Sequence, residues 1–132
     1  MESLAKNGNG SGGEGKAISQ IIGIMFMSRT YAHIAHLKTS SFSKHKALNG
    51  FYDSVIDMAD SLAEAAQGYF GKLDIPFVNM DGNVDDPINA LSSHLKMIEG
   101  HGIKCKEEYL KNIFQEIQAL YRSTLYLLKE LD

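Results

Sequence analysis

Four stretches of this 132-residue chain repeat apolar residues every three or four positions, and scarcely any stretch alternates every two. Such a chain buries its apolar surface as packed helices and not as a sheet. The last stretch carries the clearest pattern: from about Lys104 to Leu131, the residues Leu110, Ile113, Ile117, Leu120, Thr124, Leu127 and Leu131 follow a/d spacing. The second, about Phe42 to Gly71, sets Leu48, Phe51, Val55, Ala59, Leu62 and Ala66 on one stripe. The third opens at Asp86-Pro87, an acidic cap followed by proline in the first turn, and ends at Gly100. Its inward stripe is Ile88, Leu91, Leu95 and Ile98. The first, about Lys16 to Thr39, differs from the others. Ile21, Ile24, Met25, Ser28, Ala32 and Ala35 share one stripe, with Ile22, Phe26, His33 and His36 beside it. A helix oily on more than one side must be covered on several faces, so a subunit interface is expected there.

Four apolar-faced helices in a chain that is 44% hydrophobic predict a single all-α domain, a four-helix bundle. Thr39-Ser40-Ser41 supplies hydroxyls to cap the second helix, and so short a break implies an antiparallel hairpin. Residues 72–85, with Pro76 and Asp81-Gly82-Asn83, read as an irregular connection. The second helix is ~43 Å long and fourteen extended residues reach at most ~46–50 Å, so a full-length crossover is feasible. A ferritin-like arrangement is thereby permitted without being forced. Residues 1–15, rich in glycine from Asn7 to Gly15, read as a flexible tail, leaving 16–132 as the bundle domain.

Charge and motif content narrow the chemistry. Thirteen Lys and Arg against sixteen Asp and Glu give a net charge of −3, and the tail is not basic, which argues against DNA as a partner. The lone Cys105 builds neither a disulfide framework nor a thiolate zinc site and suits a reducing compartment, the cytoplasm. The longest oily run, Ile21 to Met27, is far short of the ~20 residues that cross a bilayer, so no membrane association is expected. There is no phosphate-binding glycine loop, nucleophile elbow or zinc-ribbon spacing, and Asp81 to Asp86 lacks the order of a calcium loop.

Of the five histidines, three are crowded between positions 33 and 45. Imidazole nitrogen combined with carboxylate oxygen suits iron, manganese or zinc. The groups to combine are His33 or His36 at the end of the first helix, His45 at the start of the second, and Asp60 and Glu64 one turn apart. With Leu48 at zero, Asp53, Asp57, Asp60 and Glu64 fall at about 140°, 180°, 120° and 160°, opposite the core. His45 lies fifteen residues before Asp60, ~22 Å along a helix, so one chain does not close the site. Antiparallel pairing of two second helices across a two-fold axis brings the histidines of one subunit to the carboxylates of the other.

His33-Ile-Ala-His36-Leu-Lys-Thr-Ser-Ser-Phe-Ser-Lys-His45, followed by Asn49-Gly-Phe-Tyr-Asp53 and Asp60-Ser-Leu-Ala-Glu64, resembles the ferroxidase signature of the Dps-like miniferritins, including short phage-encoded ferritin-like proteins. Two histidines twelve apart, an Asp fifteen later and a Glu four beyond match at His33, His45, Asp60 and Glu64. The tryptophan usual after the first histidine is Ile34 here, and His36-Leu37 is a rival for that first position. The resemblance implies a ferritin-like bundle whose dimers hold iron between subunits, with twelve subunits forming a shell. Fe(II) is then oxidised by peroxide or oxygen to Fe(III) and stored, protecting against oxidative stress. His33 (or His36) and His45 of one chain, with Asp60 and Glu64 of its partner, are the implied ligands; a phage-encoded member works in the host cytoplasm.

The alternative is a metal-free helical oligomer, a structural or adaptor protein. Asp53 and Asp57 are expected to be solvated charges, His94 and His101 structural or exposed, and Tyr31 and Tyr52 hydrogen-bonded packing residues.

Overall fold

The structure, a computed structural model, describes residues 13–79, 85–104 and 106–130. Among them are four helices and no strand: α1 (Gly13–Lys38), α2 (Phe42–Phe70), α3 (Pro87–His101) and α4 (Glu108–Glu130). Local chemistry sets the ends. Ser41 caps α2 by accepting from the Lys44 amide, and Asp86 caps α3 by accepting from the Asn89 amide just ahead of Pro87. Gly71 and Gly102, with φ of 90° and 68°, close α2 and α3 in a conformation that costs other residues a steric penalty.

The helix that packs on each neighbour follows from which side chains meet. α1 lies against α2 and α3, and α4 against the same two, so α1 and α4 are diagonal. Low numbers of α1 meet the end of α3 and high numbers its start: the Glu14 carboxylate accepts from the Lys104 amide, while Lys38 pairs with Asp85 at 3.5 Å. α3 is therefore antiparallel to α1. Phe51 meets Tyr121 with ring centres 5.0 Å apart, and Leu48 shares a cavity wall with Leu128, which makes α4 antiparallel to α2. The order is up, down, down, up. The connection from α2 to α3 must climb the bundle, the single crossover that ferritin-like folds use.

That crossover explains the oily first helix. The buried stretch of α1 from Gly15 to Met25 includes Ile18, Ile21, Ile22, Ile24 and Met25, covered on one side by α2 and on another by α3. Pro76 and Val78 of the crossover lie on a further side, over Gly23. Much of the circumference expected to meet a partner is thus satisfied within the chain. The large apolar side chains that stay exposed on α1 are Ile34 and, at 71%, Leu37.

Glycine is required at the crossing point. A Cβ at Gly23 would lie 2.8 Å from both the Pro76 carbonyl oxygen and a Val78 methyl. Gly23→Ala is expected to lose about 1–3 kcal/mol in urea unfolding, since the backbone oxygen cannot yield like a flexible side chain. Gly68→Ala, where nothing lies within 4 Å, should instead gain a few tenths up to about 1 kcal/mol.

Two expectations need correction. α1 begins at Gly13, so residues 13–15 assigned to the tail are helical; Glu14 bonds to the Lys104 amide and Ser19 to the Gly15 carbonyl. The remainder of the tail, Cys105 and most of the Asp81–Asp86 segment lie outside the described residues. On α4 the buried positions are Leu110, Ile117, Tyr121, Thr124, Leu125 and Leu128, whereas Leu127 is 43% exposed. A straight helix turns every 3.6 residues, so a 3.5-residue a/d stripe drifts about 20° per heptad and leaves the core. The stripes of α2 and α3 are as expected, with Ile88 only partly buried. Among the described residues no helix is long and apolar enough to cross a membrane.

Candidate metal centre

The α1–α2 hairpin gathers the three clustered histidines. Thr39 closes the last turn of α1 by donating its amide to the Ala35 carbonyl, and the Ser41 amide donates to Thr39 Oγ1. The His45 amide then donates to the Ser41 carbonyl, which starts α2. The break sets His36, on the last turn of α1, across from His45, on the first turn of α2. Each uses the other's backbone: His36 Nδ1 donates to the His45 carbonyl at 2.7 Å, and His45 Nδ1 donates to the His36 carbonyl at 2.9 Å. The rings stack at 3.6 Å with 25° between their planes.

A carbonyl oxygen only accepts, so both Nδ1 atoms carry protons. In the neutral rings the lone pair is then on Nε2. A backbone carbonyl on Nδ1 is the arrangement that orients an imidazole for ligation through Nε2. His36 is 8% exposed, while His33 and His45 are half-buried. His33 stacks on Tyr52 of α2 at 4.2 Å, with its ring centre 6.0 Å from that of His36. Phe42 stacks beyond His45 at 6.4 Å. Sequence spacing singled out His33 as the partner of His45; in the fold His36 takes that place and His33 faces Tyr52.

The carboxylates sit elsewhere on α2. Asp53, Asp57, Asp60 and Glu64 are exposed, and none makes an ion pair among the described residues. By the same angular count Lys46 is at about 160° and His45 at about 60°, on the edge against α1. The histidine cluster therefore borders the face that carries Asp60 and Glu64, one end of the helix to the other. Among the described residues of a single chain, no three His, Cys, Asp or Glu side chains come close enough to hold a metal ion.

A second polar group lies inside the bundle. Tyr121 Oη of α4 donates to Ser28 Oγ of α1 at 2.6 Å, and Ser28 Oγ is 2.7 Å from Nδ1 of His94 on α3. All three are buried, with His94 only 1% exposed. A hydroxyl that accepts from the phenol passes its own proton onward, so Nδ1 accepts and the neutral ring carries its proton on Nε2. Burial pushes the His94 imidazole down to about 4. Burial also pushes the Tyr121 phenol up, against the opposing hydrogen bond to Ser28. Burial raises Tyr31 too, although a backbone hydrogen bond with Asp86 opposes it. The Tyr31 ring meets His94 edge-on at 5.9 Å. The sequence placed Ser28 on the buried stripe and left His94 as structural or exposed. The joining member, Tyr121, was missed because the a/d stripe passed over it.

Residues 36–128 match a family of unknown function, DUF5856. The chain belongs to that family. The DUF5856 match includes His36, His45, Asp60, Glu64, His94 and Tyr121 and begins after His33. The chain is also 28% identical over 89 residues to an uncharacterized 14.6 kDa protein in the mobD-ri intergenic region of Enterobacteria phage T4. That stretch is 67% of this chain and 64% of the phage protein's own length. No solved structure matches the chain.

Proposed function

We propose that this protein is an iron-binding, Dps-like bundle that pairs through α2 and holds Fe(II) between histidines of one subunit and carboxylates of the other, for oxidation and storage. The observation that carries the reading is the pair His36 and His45, each anchored through Nδ1 so that Nε2 is left for a ligand. Asp60 and Glu64, exposed on the bordering face, supply the oxygens. Laying a second α2 antiparallel, with His45 opposite Asp60, sets the two-fold axis midway, near residues 52–53. Gly50 falls beside that axis, and a Cβ there would meet nothing within 4 Å of its own chain. A bare backbone at that point lets a second helix approach closely, which gives a reason for an exposed glycine inside a helix.

Iron is the substrate in this reading. Each Fe(II) gives one electron to peroxide or oxygen, two Fe(II) reducing one peroxide to water. The protein's part is to hold the ion on nitrogen and carboxylate ligands that favour the more highly charged product. His33, stacked on Tyr52, has its ring centre 6.0 Å from that of His36. The similarity to a phage protein agrees with work in the host cytoplasm, and a twelve-subunit shell belongs to the resemblance alone.

Anaerobic Fe(II) titration tests the reading. Saturable binding in proportion to subunits is expected, followed by oxidation when peroxide is added. His45→Asn keeps a donor where Nδ1 stands and removes the Nε2 ligand; Glu64→Gln keeps size and removes charge. Both should lose saturable binding while their helical content and urea midpoints stay near the parent's. Equal behaviour of parent and variants would favour the metal-free oligomer. One observation points that way: the reciprocal bonds of His36 and His45 by themselves clasp the hairpin.

A further inference from the structure

A cavity of about 370 Å³ opens between α1, α3 and the crossover segment. Its walls include Phe26, Met27, Tyr31, Ile34 and Phe77, and among the described residues no Asp, Glu, Lys or Arg lines it. One wall is His94, which is 99% buried by the rest of the chain and belongs to the hydrogen-bonded group described above. Its Nδ1 is taken by Ser28. Its Nε2–H has no partner among the described residues, yet no fully enclosed side-chain nitrogen or oxygen there lacks one. That atom is therefore reached from the cavity.

We propose that this cavity binds a small neutral aromatic molecule bearing one carbonyl oxygen, with its rings among Phe26, Tyr31, Ile34 and Phe77 and its oxygen accepting from Nε2–H of His94. The reasons are chemical. Walls without a charged side chain make an ionic ligand pay its desolvation uncompensated, which selects a neutral one. A buried donor left without an acceptor is costly, which selects a ligand that supplies one. Tyr121 and Ser28 act as positioning residues: by donating in sequence to Nδ1 they hold the tautomer whose proton faces the cavity. The volume admits one or two fused rings with a short substituent. Phe77, 96% exposed at the mouth, offers a further ring face to a bound aromatic.

The test uses the full chain and the neutral fluorophore 6-propionyl-2-dimethylaminonaphthalene, a fused aromatic with one ketone. Its emission should shift to the blue with saturable, one-to-one binding. Thr30→Trp, at an exposed position of the cavity mouth, should weaken binding at least about tenfold by filling the space. His94→Phe keeps the ring and removes the donor, and should weaken it about fivefold. Nitrogen NMR of the parent should find the His94 proton on Nε2 and see that signal move when the probe saturates. Absence of saturable binding, binding that Thr30→Trp leaves intact, or a His94 signal unmoved at saturation would each overturn the proposal. Because the NMR readout is taken on the unaltered chain, it holds even if a variant fails to fold.

Discussion

Mixing the His45→Asn and Glu64→Gln proteins, each inactive alone, is expected to restore about a quarter of the parent's Fe(II) oxidation. The figure follows from a two-fold interface in which each site takes nitrogen from one subunit and oxygen from the other. Random re-pairing makes half of the dimers mixed. In a mixed dimer one site carries both changes, while the other takes unaltered histidines from the Glu64→Gln chain and unaltered carboxylates from the His45→Asn chain. One intact site in two, in half of the dimers, is a quarter. In the proposed site, the ~22 Å of helix between His45 and Asp60 requires the sharing. The two variants should be refolded together and compared with the same proteins refolded apart, with peroxide-driven oxidation as the readout. No recovery in the co-refolded sample would remove the shared site.

Acid should unfold this protein through His94. The folded chain holds that imidazole at about 4, and an unfolded chain returns it to about 6.5. Between those values the unfolded state binds more protons, so stability falls as pH is lowered through the window. Above about 6.5 the contribution is complete, and below about 4 it is gone. The loss is on the order of 3 kcal/mol, a large part of the ~5–15 kcal/mol that holds a domain together. Urea midpoints at about pH 7.5 and about pH 4.5 should differ widely in the parent. In His94→Phe the difference should shrink to what the carboxylates contribute. An unchanged pH dependence would mean that the ring is protonated in place, with Ser28 rotating to accept.

How much of this was legible in the sequence depends on the range of the forces involved. The stripes of α2 and α3 could be read directly, because 3.6-residue periodicity is local and each stripe has one neighbour pair to satisfy. Gly71, Ser41 and Asp86 marked helix ends for the same reason, since a cap acts over three or four residues, whereas the third helix, expected to end at Gly100, runs one residue further and is capped by Gly102. The α4 stripe was read with a coiled-coil period, and the straight helix rotated Leu127 outward and Tyr121 inward. The apolar α1 was read correctly as needing cover on several sides. Part of its cover, the crossover over Gly23, is not a helix and has no periodicity to announce it.

The histidines show the same division. Twelve-residue spacing singled out His33 with His45, whereas the three-residue turn folds the last turn of α1 onto the first turn of α2, where His36 and His45 meet. Their nearness to the turn is visible in the sequence once the turn is located. The Ser28–His94–Tyr121 group offered no comparable signal, because its members lie 66 and 93 residues apart on three helices.

By itself, then, the sequence determined the helices, their inward faces, the short hairpin between α1 and α2 and the carboxylate face of α2, since all of these rest on contacts within a few turns. Only the tertiary structure decided that the middle connection crosses the full bundle, which histidines meet, and what lies buried at its centre. Chain length allowed more than one path for that connection, and the choice depended on whether Gly23, Pro76 and Val78 could pack at van der Waals distance.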